Sequence, residues 1–183
     1  MFPEGPGQAT LIARPTARFM LAHPAHLLAL GFGSGLSRIA PGTAGTLWGW
    51  LAFVLLSPWM TDARWGLVIA LSLPLGWWVC MVTARNMGVL DPGSIVWDEV
   101  VAIWLVLWLV MPTGIVGQVM AVGLFRYFDA AKPGPVGWAD RLFHHVDPQT
   151  DRHAWAKAGI GIMLDDIVAA GCTVLVIALW HAW

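Results

Sequence analysis

Five carboxylates fall in three short motifs of this 183-residue chain. "SIVWDEVVAIW" carries Asp98 and Glu99, "LFRYFDAAKPGP" carries Asp129, and "GIMLDDIVAAG" carries Asp165 and Asp166. Asp140, in "GWADR", is a further candidate. Acidic residues clustered without cations repel one another. A hard divalent cation such as Mg²⁺ removes that cost, because it takes oxygen ligands from a few carboxylates together with water and substrate phosphate. Adjacent residues on a helix point about 100° apart. One member of each doublet can therefore bind metal while its neighbour orients a water or a basic side chain. Helix capping and the macrodipole account for Asp98 or Asp165 singly. They account poorly for the doublets and not at all for Asp129, which the pattern puts at a helix C-terminus.

Cations lie close by in sequence. Arg126 and Lys132 flank Asp129, and Pro133 restricts the backbone of Lys132, which holds the lysine near that aspartate. Basic residues also gather on the cytoplasmic side of membrane proteins for topogenic reasons, so position alone does not make them phosphate ligands. The block "GFGSGLSRIAPGTAGTLWG", Gly31 to Gly49, adds glycines that let backbone N–H groups approach an anion. Ser34, Ser37, Thr43 and Thr46 add hydroxyls, Arg38 adds a charge, and Thr46 is placed to cap the first membrane helix. The candidate phosphate-binding set is Ser34, Arg38, Gly42, Thr43, Thr46, Arg126 and Lys132. The block matches neither GxxxxGK[ST] nor a GxGxxG after a strand. His144, His145 and His153 read as surface histidines, with His144 a candidate proton-transfer group. No G-x-S-x-G elbow is present, and Cys80 and Arg85 do not have the spacing of cysteine phosphatases.

These residues need a scaffold, and composition indicates its kind. The chain is 58% hydrophobic and 11% charged, with a mean hydropathy of +0.68, whereas soluble domains have about 25% charged residues. It also has 13 Trp against one Tyr. Trp48, Trp59, Trp65, Trp97, Trp180 and Trp183 lie near the ends of apolar runs, where membrane-interface tryptophans are expected. Five apolar segments stand out: about 47–60, 65–82 with a kink at Pro74, 100–110, 115–125 and 159–180. A short helix from Pro24 to Gly31 precedes them. Residues 1–22 read as a flexible tail that is not a cleaved signal peptide, and 23–183 as one domain. Cys80 and Cys172 lie in apolar segments and read as packing residues. The predicted fold class is all-α: an integral membrane bundle of about five short or spanning helices with a polar site at the cytoplasmic face.

The third and fourth segments admit two topologies. They either fuse into one kinked span or turn back as a hairpin at "MPTG". The hairpin puts Arg14, Arg18, Arg38, Arg85, Arg126, Lys132, Arg141, Arg152 and Lys157 on one side, nine of the ten basic residues, and leaves Arg64 on the other. The positive-inside rule favours that arrangement and makes the crowded side cytoplasmic. It also brings all three acidic motifs to one face. An ion channel or transporter is the alternative reading of carboxylates in a membrane protein, but it predicts acids distributed through the depth of the spans.

Together, "GFGSGLSRIAPGTAGTLWG", "DPGSIVWDEVVAIW", "FRYFDAAKPGPVGWADR" and "GIGIMLDDIVAAG" resemble the bacterial phosphatidylglycerophosphatase A family. The four matches occur in family order and cover most of the chain after about residue 23. The resemblance implies a Mg²⁺-dependent, mainly α-helical enzyme of the bacterial inner membrane. Its implied substrate is phosphatidylglycerophosphate, which it converts to phosphatidylglycerol and phosphate in phospholipid biosynthesis. The family's acidic positions correspond to Asp98, Glu99, Asp129, Asp165 and Asp166, and the lysine of its FDxxKP run to Lys132. These are the implied catalytic residues, and the five acids are the implied metal ligands. Arg38 departs from the family, standing where a proline is frequent. The stretch "HHVDPQTDRHAWAKAG" is longer than the family's usual link before the last motif. Action on another phospholipid is the remaining alternative.

Overall fold

A computed structural model describes residues 14–143 and 146–182. Among them the fold is all-α. The helices are α1 (Ala17–Leu21), α2 (Pro24–Ala29), α3 (Pro41–Leu56), α4 (Asp62–Met87), α5 (Trp97–Val110), α6 (Ile115–Ala131), α7 (Pro135–Arg141) and α8 (Ala154–His181). Short 3₁₀ segments occupy Gly31–Leu36 and Ser57–Trp59. Local chemistry sets several of these boundaries. Thr61 caps α4 by accepting from the Arg64 N–H, and Gly88, at φ 71°, ends it in the left-handed conformation that glycine tolerates. Pro41 opens α3 at a position where a missing N–H costs nothing.

Helix α5 is apolar on every side and forms the centre of the bundle. Val101, Ala102, Ile103, Val106 and Leu107 on it are fully buried. It packs against α3, α4, α6 and α8. Small residues let the backbones close in. A Cβ on Gly49 would stand 2.7 Å from Ile103 and 3.0 Å from the Val100 Cα, and the Gly49 carbonyl accepts from the Trp104 indole at 2.9 Å. On the opposite flank, a Cβ on Gly159 would stand 2.7 Å from the Trp77 carbonyl oxygen, drawing α8 onto α4.

Trp65 and Trp97 correct the interfacial expectation. They are 4% and 5% exposed. Trp65 stacks on Phe53 with ring centroids 4.3 Å apart, and both tryptophans pack on Trp104 at 5.9 Å. Trp97 opens the central helix α5, and Trp65 on α4 is turned inward onto α3 and α5, so the end of an apolar run is not the rim of the molecule. Trp59 and Trp180 are instead 71% and 76% exposed. A belt of exposed apolar residues covers the outside, including Leu67 and Leu71 on α4, Val116 and Met120 on α6, and Leu175 and Leu179 on α8. Helices α4 and α8, of 26 and 28 residues, are long and apolar enough to cross a membrane.

The third and fourth apolar segments form the hairpin. The chain turns at residues 111–114, where the Met111–Pro112 peptide is cis. Gln118 ties the turn to α3 by accepting from the Trp50 indole at 2.8 Å. At 1.5 Å per residue, α5 and α6 are about 21 and 26 Å long, short of the ~30 Å hydrocarbon core of a bilayer.

Two local expectations change. Helix α8 begins at Ala154, so Asp165 and Asp166 lie inside it rather than at its mouth. Helix α3 begins six residues earlier than the apolar run, so Thr46 sits within it and does not cap it; its hydroxyl donates to the Gly42 carbonyl at 3.0 Å. Of the predicted tail, residues 14–22 are described, and 17–21 of these form α1.

Candidate metal centre

Four helices deliver the polar side chains to one place. The first turn of α5 supplies Asp98 and Glu99. The last turns of α6 supply Arg126 and Asp129, and Lys132 is its C-cap residue. The middle of α8 supplies Asp165 and Asp166, and the first turns of α3 supply Gly42 and Thr46.

The five carboxylates divide into two groups. One oxygen each from Asp98, Glu99 and Asp166 lie within 4.8 Å of one another. These residues are 8%, 8% and 3% exposed. Asp98 Oδ1, Glu99 Oε2 and Asp166 Oδ2 are buried without a hydrogen-bond partner. Buried carboxylate oxygens left unpaired are costly. Three buried carboxylates brought together, each with an oxygen left unpaired, form a donor set that suits a hard divalent cation. Asp129 and Asp165 are placed differently, because each accepts a hydrogen bond from a basic side chain. Arg126 donates to Asp129 in a short ion pair and stands 3.8 Å from Glu99 Oε1. Lys132 donates to Asp165 at 2.7 Å and, in a second short contact, to Asp140.

The cations are themselves held. Arg126 Nη1 donates to the Thr46 hydroxyl at 3.3 Å, which links α6 to α3 beside the carboxylates. Lys132 has φ 45° and ψ 48°, a left-handed conformation that costs a side-chain-bearing residue of order 1 kcal/mol. The strain is offset by the two carboxylates that grip its ammonium. Burial works against that charge, but the hydrogen bonds to Asp140 and Asp165 prevail and raise its pKa above the ordinary lysine value. Gly42 is demanded by proximity: a Cβ there would stand 2.3 Å from Glu99 Oε1 and 3.3 Å from Arg126 Nη1.

Other members of the candidate phosphate set lie elsewhere. The Ser34 hydroxyl donates to the Gly31 carbonyl at 2.9 Å, inside its own turn. Thr43 is half-buried in the first turn of α3. Arg38 is exposed and lines a cavity of about 650 Å³ together with Arg14, Ser37, Pro41, Asp91 and Ser94. Asp91 also borders a smaller cavity of about 130 Å³, beside Asp140 and Asp165. Sequence reasoning did not single out Arg14 or Asp91. The only signal for Arg14 was one more basic residue on the crowded side, and for Asp91 its place in "DPGS" next to the first acidic motif. His144 and His145 lie outside the described residues. Cys80 and Cys172 are free thiols.

The chain matches a family model described as phosphatidylglycerophosphatase A over residues 27–181. It is 42% identical over 160 residues to phosphatidylglycerophosphatase A of Escherichia coli (strain K12), covering 84% of this chain and 81% of that protein. It is 37% identical over 169 residues to phosphatidylglycerophosphatase A of Haemophilus influenzae, covering 92% and 96%. No solved structure matches the chain.

Proposed function

This chain belongs to the phosphatidylglycerophosphatase A family, and we propose that it hydrolyses the terminal phosphomonoester of phosphatidylglycerophosphate. The products are phosphatidylglycerol and phosphate, and the cofactor is Mg²⁺. The observation that carries the reading is the convergence of three buried carboxylates, each with an unpartnered oxygen, beside two anchored cations.

Asp98, Glu99 and Asp166 would hold the metal. When bound, it supplies Lewis acidity and a lowered pKa for a coordinated water. Arg126 and Lys132 offer charge-assisted hydrogen bonds to the phosphate oxygens as negative charge develops there. Asp129 and Thr46 orient Arg126, and Asp140 and Asp165 orient Lys132, so both cations stand in place before substrate arrives. Gly42 lets the start of α3 close on the site without displacing Glu99. The exposed apolar belt on α4, α6 and α8 supports a place in a membrane, which on this reading is the bacterial inner membrane. The crowding of basic residues turns the site toward the cytoplasm.

The test is release of inorganic phosphate from phosphatidylglycerophosphate by the purified full chain in neutral detergent. Turnover is expected to vanish on chelation and return with Mg²⁺. Failure of Mg²⁺ to restore activity while another divalent ion does so would overturn the metal assignment alone. No release with any ion would overturn the reaction. A cysteine placed beside Arg141 is expected to react only with a reagent on the cytoplasmic side; labelling from outside would reverse the orientation.

A further inference from the structure

The cavity of about 650 Å³ at the start of α3 is not used by the chemistry described above. It reaches the reacting centre through adjacent residues. Pro41 forms part of its wall, and Gly42, next in the chain, abuts Glu99 and Arg126. Arg14 and Arg38 both line it, and neither has an ion pair with another described residue. That sets them apart from Arg126 and Lys132, whose charges are already matched by carboxylates. Asp91 is the acidic residue of the wall, and it also faces the smaller cavity toward Asp140 and Asp165. The Ser37 hydroxyl is turned to the Ile39 carbonyl at 2.8 Å, and the two guanidinium groups are the cationic donors of this wall.

Resting on the phosphatase reading, we propose that this cavity is a second anion subsite, in which Arg14 and Arg38 hold the phosphodiester of the lipid substrate while its phosphomonoester lies at the carboxylates. The two phosphates of that substrate are separated by a single glycerol unit. The cavity and the carboxylate group meet at consecutive residues of α3, Pro41 and Gly42, which is where a headgroup carrying two phosphates would bridge them. Guanidinium is suited to this task because its fork matches phosphate oxygens in pairs. Arg38 faces the half of the headgroup that does not react, so the hydrolytic step does not depend on it. Its contribution is to binding, and it appears in KM rather than in kcat.

The two reaction products separate the subsites. Phosphatidylglycerol carries only the diester, and inorganic phosphate mimics only the monoester. The experiment compares the wild-type chain with Arg14→Gln, Arg38→Gln and the double variant, in neutral detergent with Mg²⁺. For the double variant, KM for phosphatidylglycerophosphate and the inhibition constant for phosphatidylglycerol are both expected to rise about 10-fold or more. The inhibition constant for inorganic phosphate and kcat are expected to stay within about twofold of wild type, which also shows that the variant is folded. A rise in the phosphate constant would place the arginines at the monoester and overturn the proposal. Unchanged constants for all three ligands would remove the cavity from the site. An effect seen only in vesicles of anionic lipid, and absent in neutral detergent, would reassign the arginines to general attraction to the membrane surface. Lack of turnover by the wild-type chain would instead count against the phosphatase reading, whatever the variants do.

Discussion

Arg126 Nη1 lies 3.8 Å from Glu99 Oε1, so the last turns of α6 meet the first turn of α5. That one contact establishes the antiparallel hairpin and brings Asp129 to the same end of the bundle as Asp98 and Glu99. Helix α8 completes the group from the other side, through Asp166.

Asp98 and Asp166 are expected to matter more for the metal than Asp129. Replacing either with Asn is expected to lower kcat at least about 100-fold and to weaken Mn²⁺ binding, read by the paramagnetic signal of the free ion. Asp129→Asn is expected to reduce turnover by releasing Arg126 while leaving Mn²⁺ affinity close to wild type. Equal loss of Mn²⁺ binding in Asp129→Asn would mean that the metal set extends beyond the trio.

Gly42→Ala tests the closeness of α3 to the site. The added methyl would need the place of Glu99 Oε1, 2.3 Å away, or of Arg126, 3.3 Å away. Helical content by circular dichroism should be retained, and kcat should fall about 100-fold because a carboxylate and a cation are both displaced. Full activity in this variant would show that the first turn of α3 can withdraw at no cost.

Lys132 and Asp140 are expected to behave as a coupled pair. In a double-mutant cycle with Lys132→Met and Asp140→Asn, the thermal stabilities should show a coupling of about 1 kcal/mol. The side chains are 32% and 18% exposed, and solvent screening argues against a larger value. Additive effects would reduce the contact to a passing surface encounter.

His26 gives a pH dependence with a defined sign. Its Nδ1 faces the Phe19 carbonyl at 2.9 Å and its Nε2 faces the Asn86 amide nitrogen at 2.9 Å. The neutral ring satisfies both when Nδ1 carries the proton. Burial lowers its pKa; the Phe19 hydrogen bond opposes this and nearby His23 adds to it. The folded state therefore binds a proton less readily than the unfolded chain. The stability contributed is present above the unfolded histidine pKa of about 6.5 and is lost as pH falls below it. The wild-type thermal midpoint should fall more steeply than that of His26→Gln between about pH 7.5 and about pH 5. Parallel slopes would show that His26 does not titrate against folding.

Residue types and their order along the chain were enough to indicate the class of the protein and the candidates for its site. Apolar runs separated by charged motifs sufficed for an all-α bundle, because a hydrophobic helix needs only length and composition to be visible. Charge asymmetry favoured the hairpin for the same reason: it depends on counting residues along the chain. The tertiary structure decided how the inventory is divided. Asp98 and Asp129 are both acids near helix ends in one dimension, yet only packing gives Asp129 a guanidinium and leaves an oxygen of Asp98 buried without a partner. It likewise placed Trp65 and Trp97 in the core and Thr46 against Arg126. It also lined one cavity with Arg14 and Arg38, 24 positions apart in the chain. Pairing and burial depend on which helix lies beside which, and the order of residues along a single chain does not contain that information locally.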